Sequence, residues 1–445
     1  MTMFQTLYLP IGVPTFDLTA AGKVFEASAA LLRAVDAETA VPQEMLLGLD
    51  KLNAFTEDKC PDLVVLQNVT FANGAYTAEV LRRFDCPVLL WTPQEPAADT
   101  GRLKLNALTG AYSAANMLSA CRRPFNYVYG APEDPATAEA IRAVWQAAKL
   151  KKALRSLTLL QIGYTPEGFG FGRALDHEIT RTFGARLLSI EARELIDRAK
   201  SFSDADVQPY LEDARKRICK LDSIDEKNVL DFARLYKAYA EYIRGNRIGA
   251  VASRCWPDFF VSFGTPVCAV LAMLNDLGVP AACETDTYGA LSMYFAAQLT
   301  GKPAFFGDPV ALNKEENTVT FWHCGTAACS LAREDTGAEA GVHCNRRIGP
   351  TLEFGCKAAP CVTIVRLGRD ADGNFRLLTA KGEALDRPKQ YFGTSVVVRT
   401  ACDAEAFVRG GVEYGWEPHF AVAMGDISAA VKALGNMLGI EVFSF

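Results

Sequence analysis

Apolar positions in the first two thirds of the chain fall into an alternation of short runs and periodic stretches. Residues 7–13, 62–67 and 87–91 are apolar runs of strand length, whereas residues 20–35, 75–84 and 111–121 repeat their apolar positions with the 3.6-residue period of a helix. Strands separated by amphipathic helices predict βαβ units on a parallel sheet. A charged helix over residues 135–152 closes this unit. A second unit starts with the apolar run LTLLQIGY at Leu157 and passes a glycine-rich turn, a helix over 173–183 and a strand over 186–190. A long polar helical stretch over 191–243 follows. Strands over 248–253, 279–283 and 303–306 then alternate with helices over 266–276 and 291–299, and the last two strands run into Glu284 and Asp308.

Beyond residue 313 the texture changes. Strands over 318–322, 361–367, 375–379 and 394–399 come without helices between them, and the ADGN at 371–374 is a hairpin-turn sequence. A helix over 427–438 and a strand over 440–443 finish the chain. The expected fold is α/β: two Rossmann-like three-layer α/β/α domains, residues 1–152 and 153–312, then a small antiparallel β-barrel domain, residues 313–445.

Length agrees with more than one domain, because 445 residues exceed what a single hydrophobic core usually supports. A net charge of -6 and the lack of basic runs with interleaved aromatics argue against a nucleic-acid partner. No apolar run approaches the ~20 residues of a membrane span, and the N-terminus reads as a first strand, not a signal peptide. Thirteen cysteines, an odd number without framework spacing, predict reduced thiols and a cytoplasmic location.

Three places can carry chemistry. The loop GYTPEGFGFGR lies between a strand and a helix, but its Gly168, Gly170 and Gly172 follow GxGxG, not the GxGxxG of dinucleotide sites, and Glu191, near the expected ribose position, is one acid among many. It reads as a turn that lets strand and helix pack closely. His323, Cys324, Cys329, His343, Cys344, Cys356 and Cys361 form a Cys/His-rich region that lacks the CxxC knuckle of zinc modules, so these cysteines read as small buried apolar groups. Glu284 and Asp308 each follow an apolar strand with one helix between. On neighbouring parallel strands, ~4.8 Å apart, they would share one edge and one cation, with His419 and His323 closing the site. Oxygen ligands with an imidazole suit Mn²⁺ or a similar divalent ion. The plain alternative for such acids is a helix cap, a role Asp286 fits.

The stretch CETDTYGALSMYFAAQLTGKPAFFGD, residues 283–308, resembles the catalytic segment of L-fucose isomerase and of the wider family that includes L-arabinose isomerase. Glu284 matches the glutamate of the family's TEND-like turn, Gln298, Leu299, Thr300 and Gly301 its QLTG, and Asp308 its second carboxylate. EYGWEPHFAVAMGD resembles the turn that carries a further ligand, here His419, and His323 stands where the arabinose branch adds a histidine. RCWPDF resembles the family's RxWTD, which puts Arg254 and Trp256 at the sugar. IGVPTFD and residues 174–183 extend the likeness more weakly over the rest of the chain. Departures are a shorter chain, Thr285 in place of the TEND asparagine, and a merely approximate histidine turn.

The resemblance implies a Mn²⁺-dependent aldose–ketose isomerase working through a cis-enediol, with Glu284 and Asp308 as acid/base groups and ligands, in a homo-oligomer. A second substrate reading is a modified hexose such as sulfoquinovose, whose sulfonate Arg254, Arg346 or Arg347 would meet. Readings of other classes are a non-catalytic sugar-binding protein and, on the glycine loop alone, a nicotinamide-dependent oxidoreductase.

Overall fold

The computed structural model describes residues 3–97 and 101–445, and the chain folds as two compact units. One comprises Met1–Lys152 with Ala429–Gly439, the other Ala153–Ser428 with Ile440–Phe445.

In the first unit, β1 (Thr6–Ile11), β2 (Leu63–Asn68), β3 (Val88–Thr92) and β4 (Phe125–Tyr129) form a parallel sheet in that order. The first three strands are buried along their whole length, as a sheet covered on both faces requires. Leu7, Leu9, Val64, Leu66 and Leu90 pack with Leu52, Val80 and Leu118. On the other face Gln67 Nε2 donates to Ser28 Oγ of the helix Leu18–Val35 at 3.0 Å. The helix Ser428–Leu438 returns to this unit, where Asn126 Nδ2 donates to the carbonyl of Ala433 at 3.2 Å.

The second unit starts with β5 (Thr158–Ile162) and β6 (Arg186–Ile190), continues through the two-residue β7 (Ile218–Cys219), and adds β8 (Ala250–Ser253) and β9 (Ala281–Cys283). Its parallel sheet has the order β6-β5-β8-β9. The polar stretch expected as one long helix is three, Ala192–Lys200, Asp204–Arg217 and Glu226–Asn246, because Ser203 and Asp225 each cap a new start.

The remaining strands are β10 (Phe305–Asn313), β11 (Thr318–His323), β12 (Ala338–Gly341), β13 (Thr351–Gly355), β14 (Ala359–Arg369), β15 (Phe375–Ala384), β16 (Thr394–Thr400), β17 (Phe420–Ala423) and β18 (Glu441–Ser444). Six close on themselves through antiparallel pairs in the cycle β10-β11-β16-β15-β14-β17 and back to β10, which leaves no open edge between them. The ADGN turn joins β14 to β15 as expected, with Gly373 at φ 83°. No α-helix separates the four strands expected from residue 318 to 399; beyond them a helix, Ala404–Glu413, capped by Asp403, was not expected.

A second correction concerns Asp308. Its strand does not extend the parallel sheet beside β9; β10 belongs to the barrel. The physical reason is the short connection of residues 314–317 to β11. So tight a link makes a hairpin, which is antiparallel, and a parallel neighbour needs a far longer crossover. The boundary expected at 312/313 therefore falls at the end of β10, and barrel and parallel sheet share one compact unit.

Candidate active site

Glu284 leaves the end of β9 in a left-handed conformation, and Thr285 repeats it, at φ 57° and 56°. For a glutamate followed by a β-branched residue this is strained backbone, of the kind that costs about 1–3 kcal/mol per residue and concentrates at functional sites. Local bonds hold it. Thr285 N–H donates to the Ser253 carbonyl at 3.1 Å, and its hydroxyl lies 3.3 and 3.2 Å from the carbonyls of Ile162 and Tyr164. Asp286 then caps the helix Thr287–Thr300 by accepting from Gly289 N–H at 2.8 Å.

So aimed, Glu284 Oε2 lies 2.9 Å from His419 Nε2, and Asp308 Oδ1 lies 3.4 Å from the same nitrogen. The two carboxylates expected to converge meet at His419, but from two sheets and not from neighbouring strands of one: Glu284 ends the parallel sheet as expected, and Asp308 comes from the barrel. Pairing of β10 with β17 matches Phe305 to Val422 and Gly307 to Phe420, so one further step along both strands puts Asp308 opposite His419. His323 ends β11; its ring centroid is 5.7 Å from that of His419, and Glu284, His323 and His419 each offer a ligand atom within 4.8 Å of the others. Trp256 touches the site directly, its Nε1 donating to Glu284 Oε1 at 3.2 Å. Arg254 is paired with Asp258, its Nε at 2.7 Å from the carboxylate, and the same Nε donates to the Trp256 carbonyl at 3.1 Å.

Arg366, and the part Asp286 plays beyond its cap, were missed from the sequence. His419 Nδ1 faces Asp286 Oδ2 at 3.0 Å, and Arg366 Nη1 donates to that same oxygen at 2.5 Å while Nη2 reaches Oδ1 at 3.3 Å. Arg366 is wholly buried in β14, within the apolar run VTIVRLG. A lone arginine in the middle of such a run was the available signal, since a buried guanidinium needs an acid beside it. Asp286 is a cap as expected, and in addition the support of the imidazole.

The glycine-rich turn also contributes more than packing. Phe169 and Phe171 stand with ring centroids 6.3 and 5.5 Å from His419, and Phe306 at 4.8 Å, so three phenylalanines wall the imidazole. Gly172 makes this approach possible, because a Cβ there would fall 2.7 Å from Asp286 Cα.

Burial pushes the Glu284 carboxyl up, but the hydrogen bond and positive charge of His419, with His323, outweigh it and hold the group below its usual range. For Asp308 burial wins and the carboxyl is raised. Burial would also raise Asp286, yet the charges of Arg366 and His419 keep it well below the ordinary carboxylate value. Burial lowers His419, and its hydrogen bonds to Asp286 and Glu284 overcome this and lift it to about 9. Two carboxylates and one or two imidazoles, with a carboxylate behind His419 Nδ1, make a donor set suited to a borderline-hard divalent cation.

Arg346, in the turn after β12, has its guanidinium over the rings of Trp256 and Phe260, 5.4 and 4.9 Å from their centroids, and no carboxylate pairs with it among the described residues. Arg347 lies 5.9 Å over Phe392.

No helix among the described residues is long and apolar enough to cross a membrane. No family model matches the chain. Over 442 residues, 99% of this chain and of the relative, it is 53% identical to a sulfoquinovose isomerase of Clostridium sp. (strain MSTE9). It is 36% identical over 443 residues, 99% of each chain, to a sulfoquinovose isomerase of Alkalicoccus urumqiensis, and 36% identical over 439 residues, 98% of each, to one of Priestia aryabhattai.

Proposed function

The chain belongs to the sulfoquinovose isomerase family and is an aldose–ketose isomerase, and on that premise we propose that it converts sulfoquinovose, an aldohexose with a sulfonate on its terminal carbon, to the matching ketose through a cis-enediol. The observation that carries the reaction is the meeting of Glu284 and Asp308 on one nitrogen of His419, at 2.9 and 3.4 Å.

Glu284, Asp308 and His419, with His323 beside them, would hold Mn²⁺ or a similar cation. Bound there, the ion would act as a Lewis acid toward the carbonyl and the neighbouring hydroxyl. Glu284 and Asp308 divide the proton traffic: one carboxylate takes the proton from C2 of the aldose and returns it at C1, and the other moves a proton between the two oxygens. Proton transfers of this kind contribute about 10²–10⁴-fold each. Trp256 holds Glu284 in place through Nε1, and Asp286 orients His419 through Nδ1. Phe169, Phe171 and Phe306 keep bulk water from the imidazole side, where it would otherwise protonate the enediol.

A specific observation favours the sulfonated hexose over a neutral one such as L-fucose. Arg346 is an uncompensated cation stacked on Trp256, the residue that touches Glu284, whereas Arg254 is already paired with Asp258. A sulfonate can take the fork of a free guanidinium in charge-assisted hydrogen bonds.

The test is to strip the protein of metal, restore Mn²⁺ and incubate it with sulfoquinovose in deuterated water. Deuterium at the carbon beside the carbonyl, dependent on the metal, is the expected result. Isomerisation at the same rate in a chelated sample would overturn the metal assignment, and no turnover of sulfoquinovose would overturn the substrate.

A further inference from the structure

A second group of soft donors is built into the same unit. Cys268 opens the helix Cys268–Asp276, Cys324 follows β11, and His343 lies in the turn after β12. They come from three separate parts of the chain and are all buried, at 0, 8 and 5% exposure. One ligand atom of each lies within 4.8 Å of the others, and the two sulfurs are 3.9 Å apart. A tetrahedral ion with metal–sulfur bonds of about 2.3 Å separates two thiolate sulfurs by roughly 3.8 Å. The pair therefore already stands at the edge length such an ion imposes.

Packing alone accounts less well for the third corner. Reduced thiols are small apolar groups that fill a core without help, but a buried imidazole needs polar partners. The ring of His343 receives only one hydrogen bond among the described residues, a long one from Asn345 N–H to Nδ1 at 3.3 Å, and otherwise meets the edge of Phe260. Cys324 also meets two donors outside this group: the sulfur of Cys283, at the end of β9, lies within 4.8 Å, and His323 Nδ1 lies 3.4 Å away. Of the Cys/His-rich region noted in the sequence, Cys329, Cys344, Cys356 and Cys361 take no part in these groups among the described residues.

We propose that Cys268, Cys324 and His343, with Cys283 as a neighbouring thiol of Cys324, form a site for a soft thiophilic divalent cation of the zinc class, distinct in its donors from the group of Glu284 although Cys324 adjoins His323. Thiolate ligands select such ions over those that carboxylates prefer. The bound ion would tie the turn carrying Arg346 to the end of β11 and to the helix Cys268–Asp276, bracing the substrate side of the site.

The test uses the full chain with the exposed thiols Cys60, Cys121 and Cys219 changed to serine, reduced, loaded with Mn²⁺, and titrated with Cd²⁺. The readout is the ultraviolet thiolate-to-cadmium charge-transfer band, which oxygen and nitrogen ligands do not give. One equivalent of Cd²⁺ should saturate it, Cys268→Ser and His343→Gln should each weaken binding at least tenfold, and Cys356→Ser should leave it unchanged. The parent decides the question if a variant fails to fold: absence of the band at stoichiometric Cd²⁺ overturns the proposal. A band indifferent to both Cys268→Ser and His343→Gln overturns it equally.

Discussion

Replacing Asp286 by asparagine keeps the shape of the side chain and removes its charge. The amide oxygen can still accept from Gly289 N–H, so the cap of Thr287–Thr300 survives. What is lost is the counter-charge of Arg366, which is wholly buried and then retains, among the described residues, only Glu417, 3.8 Å from its Nε. Removing one partner of a buried pair typically costs about 3–5 kcal/mol, because the remaining ion is stranded away from water. His419 loses at the same time the carboxylate that orients it, and outer-shell partners of this kind are worth about 10–100-fold in metal affinity. The assay is urea unfolding of the metal-free proteins beside Mn²⁺ titration of the folded ones. The pH dependence separates charge from shape. Arg366 and His419 hold the folded-state carboxyl well below its ordinary value, against the opposing effect of burial. Its contribution is thus complete above the unfolded value of about 4 and is lost only as pH falls through the lower folded value. The gap between parent and variant should stay constant from neutral pH to about 5 and close in stronger acid. A variant within about 1 kcal/mol of the parent at neutral pH, binding Mn²⁺ equally well, would refute the supporting role of the pair.

Glu284→Gln and Asp308→Asn should each lower turnover by about 10²–10⁴-fold, with weaker Mn²⁺ binding in both; full turnover by either one removes it from the chemistry. Arg346→Gln should raise KM for sulfoquinovose about tenfold or more, the worth of a charge-assisted hydrogen bond, while leaving a sugar without the sulfonate unaffected, and an equal effect on both sugars argues against sulfonate recognition. Gly172→Ala should disrupt the site, since its Cβ would meet backbone at Asp286 Cα, whereas Gly168→Ala points into open space at φ 84° and should cost only the strain of that conformation; comparable activities of the two would contradict this. Because hydrogen bonds to Asp286 and Glu284 outweigh burial and lift His419 to about 9, a Mn²⁺ ion bound by His419 would have to displace its proton at neutral pH. Apparent affinity should rise up to tenfold per pH unit below that value, and a flat profile from pH 6 to 8 would count against His419 as a ligand.

The residues that meet at the candidate site were legible because each is marked locally. Glu284 and Asp308 follow apolar runs, and His419 stands before one, so strand-end placement and the resemblance of 283–308 both reach them. The sheet assignment of Asp308 was not legible from that pattern, because a buried strand reads alike in a parallel sheet and in a barrel. Only the brevity of 314–317 distinguishes the two. Arg366 and Asp286 were missed for a different reason: their partnership spans distant segments, and a single sequence records burial of a charge without naming what neutralises it. The same limit hid that Cys268 joins Cys324 and His343, two members of the Cys/His-rich region, since no common spacing links the three.

The ladder between β10 and β17 fixes how far Asp308 stands from His419, whatever lies in the long run of chain between them. Hairpins, the turn of Arg346 and the helix Ala404–Glu413 all hang from that interval and can be lengthened, trimmed or redecorated at no cost to the distance. New sugars can therefore be accommodated by rebuilding the periphery. The ladder itself tolerates nothing comparable, for a slip of one residue would turn the aspartate to the opposite face and abolish the site at a stroke.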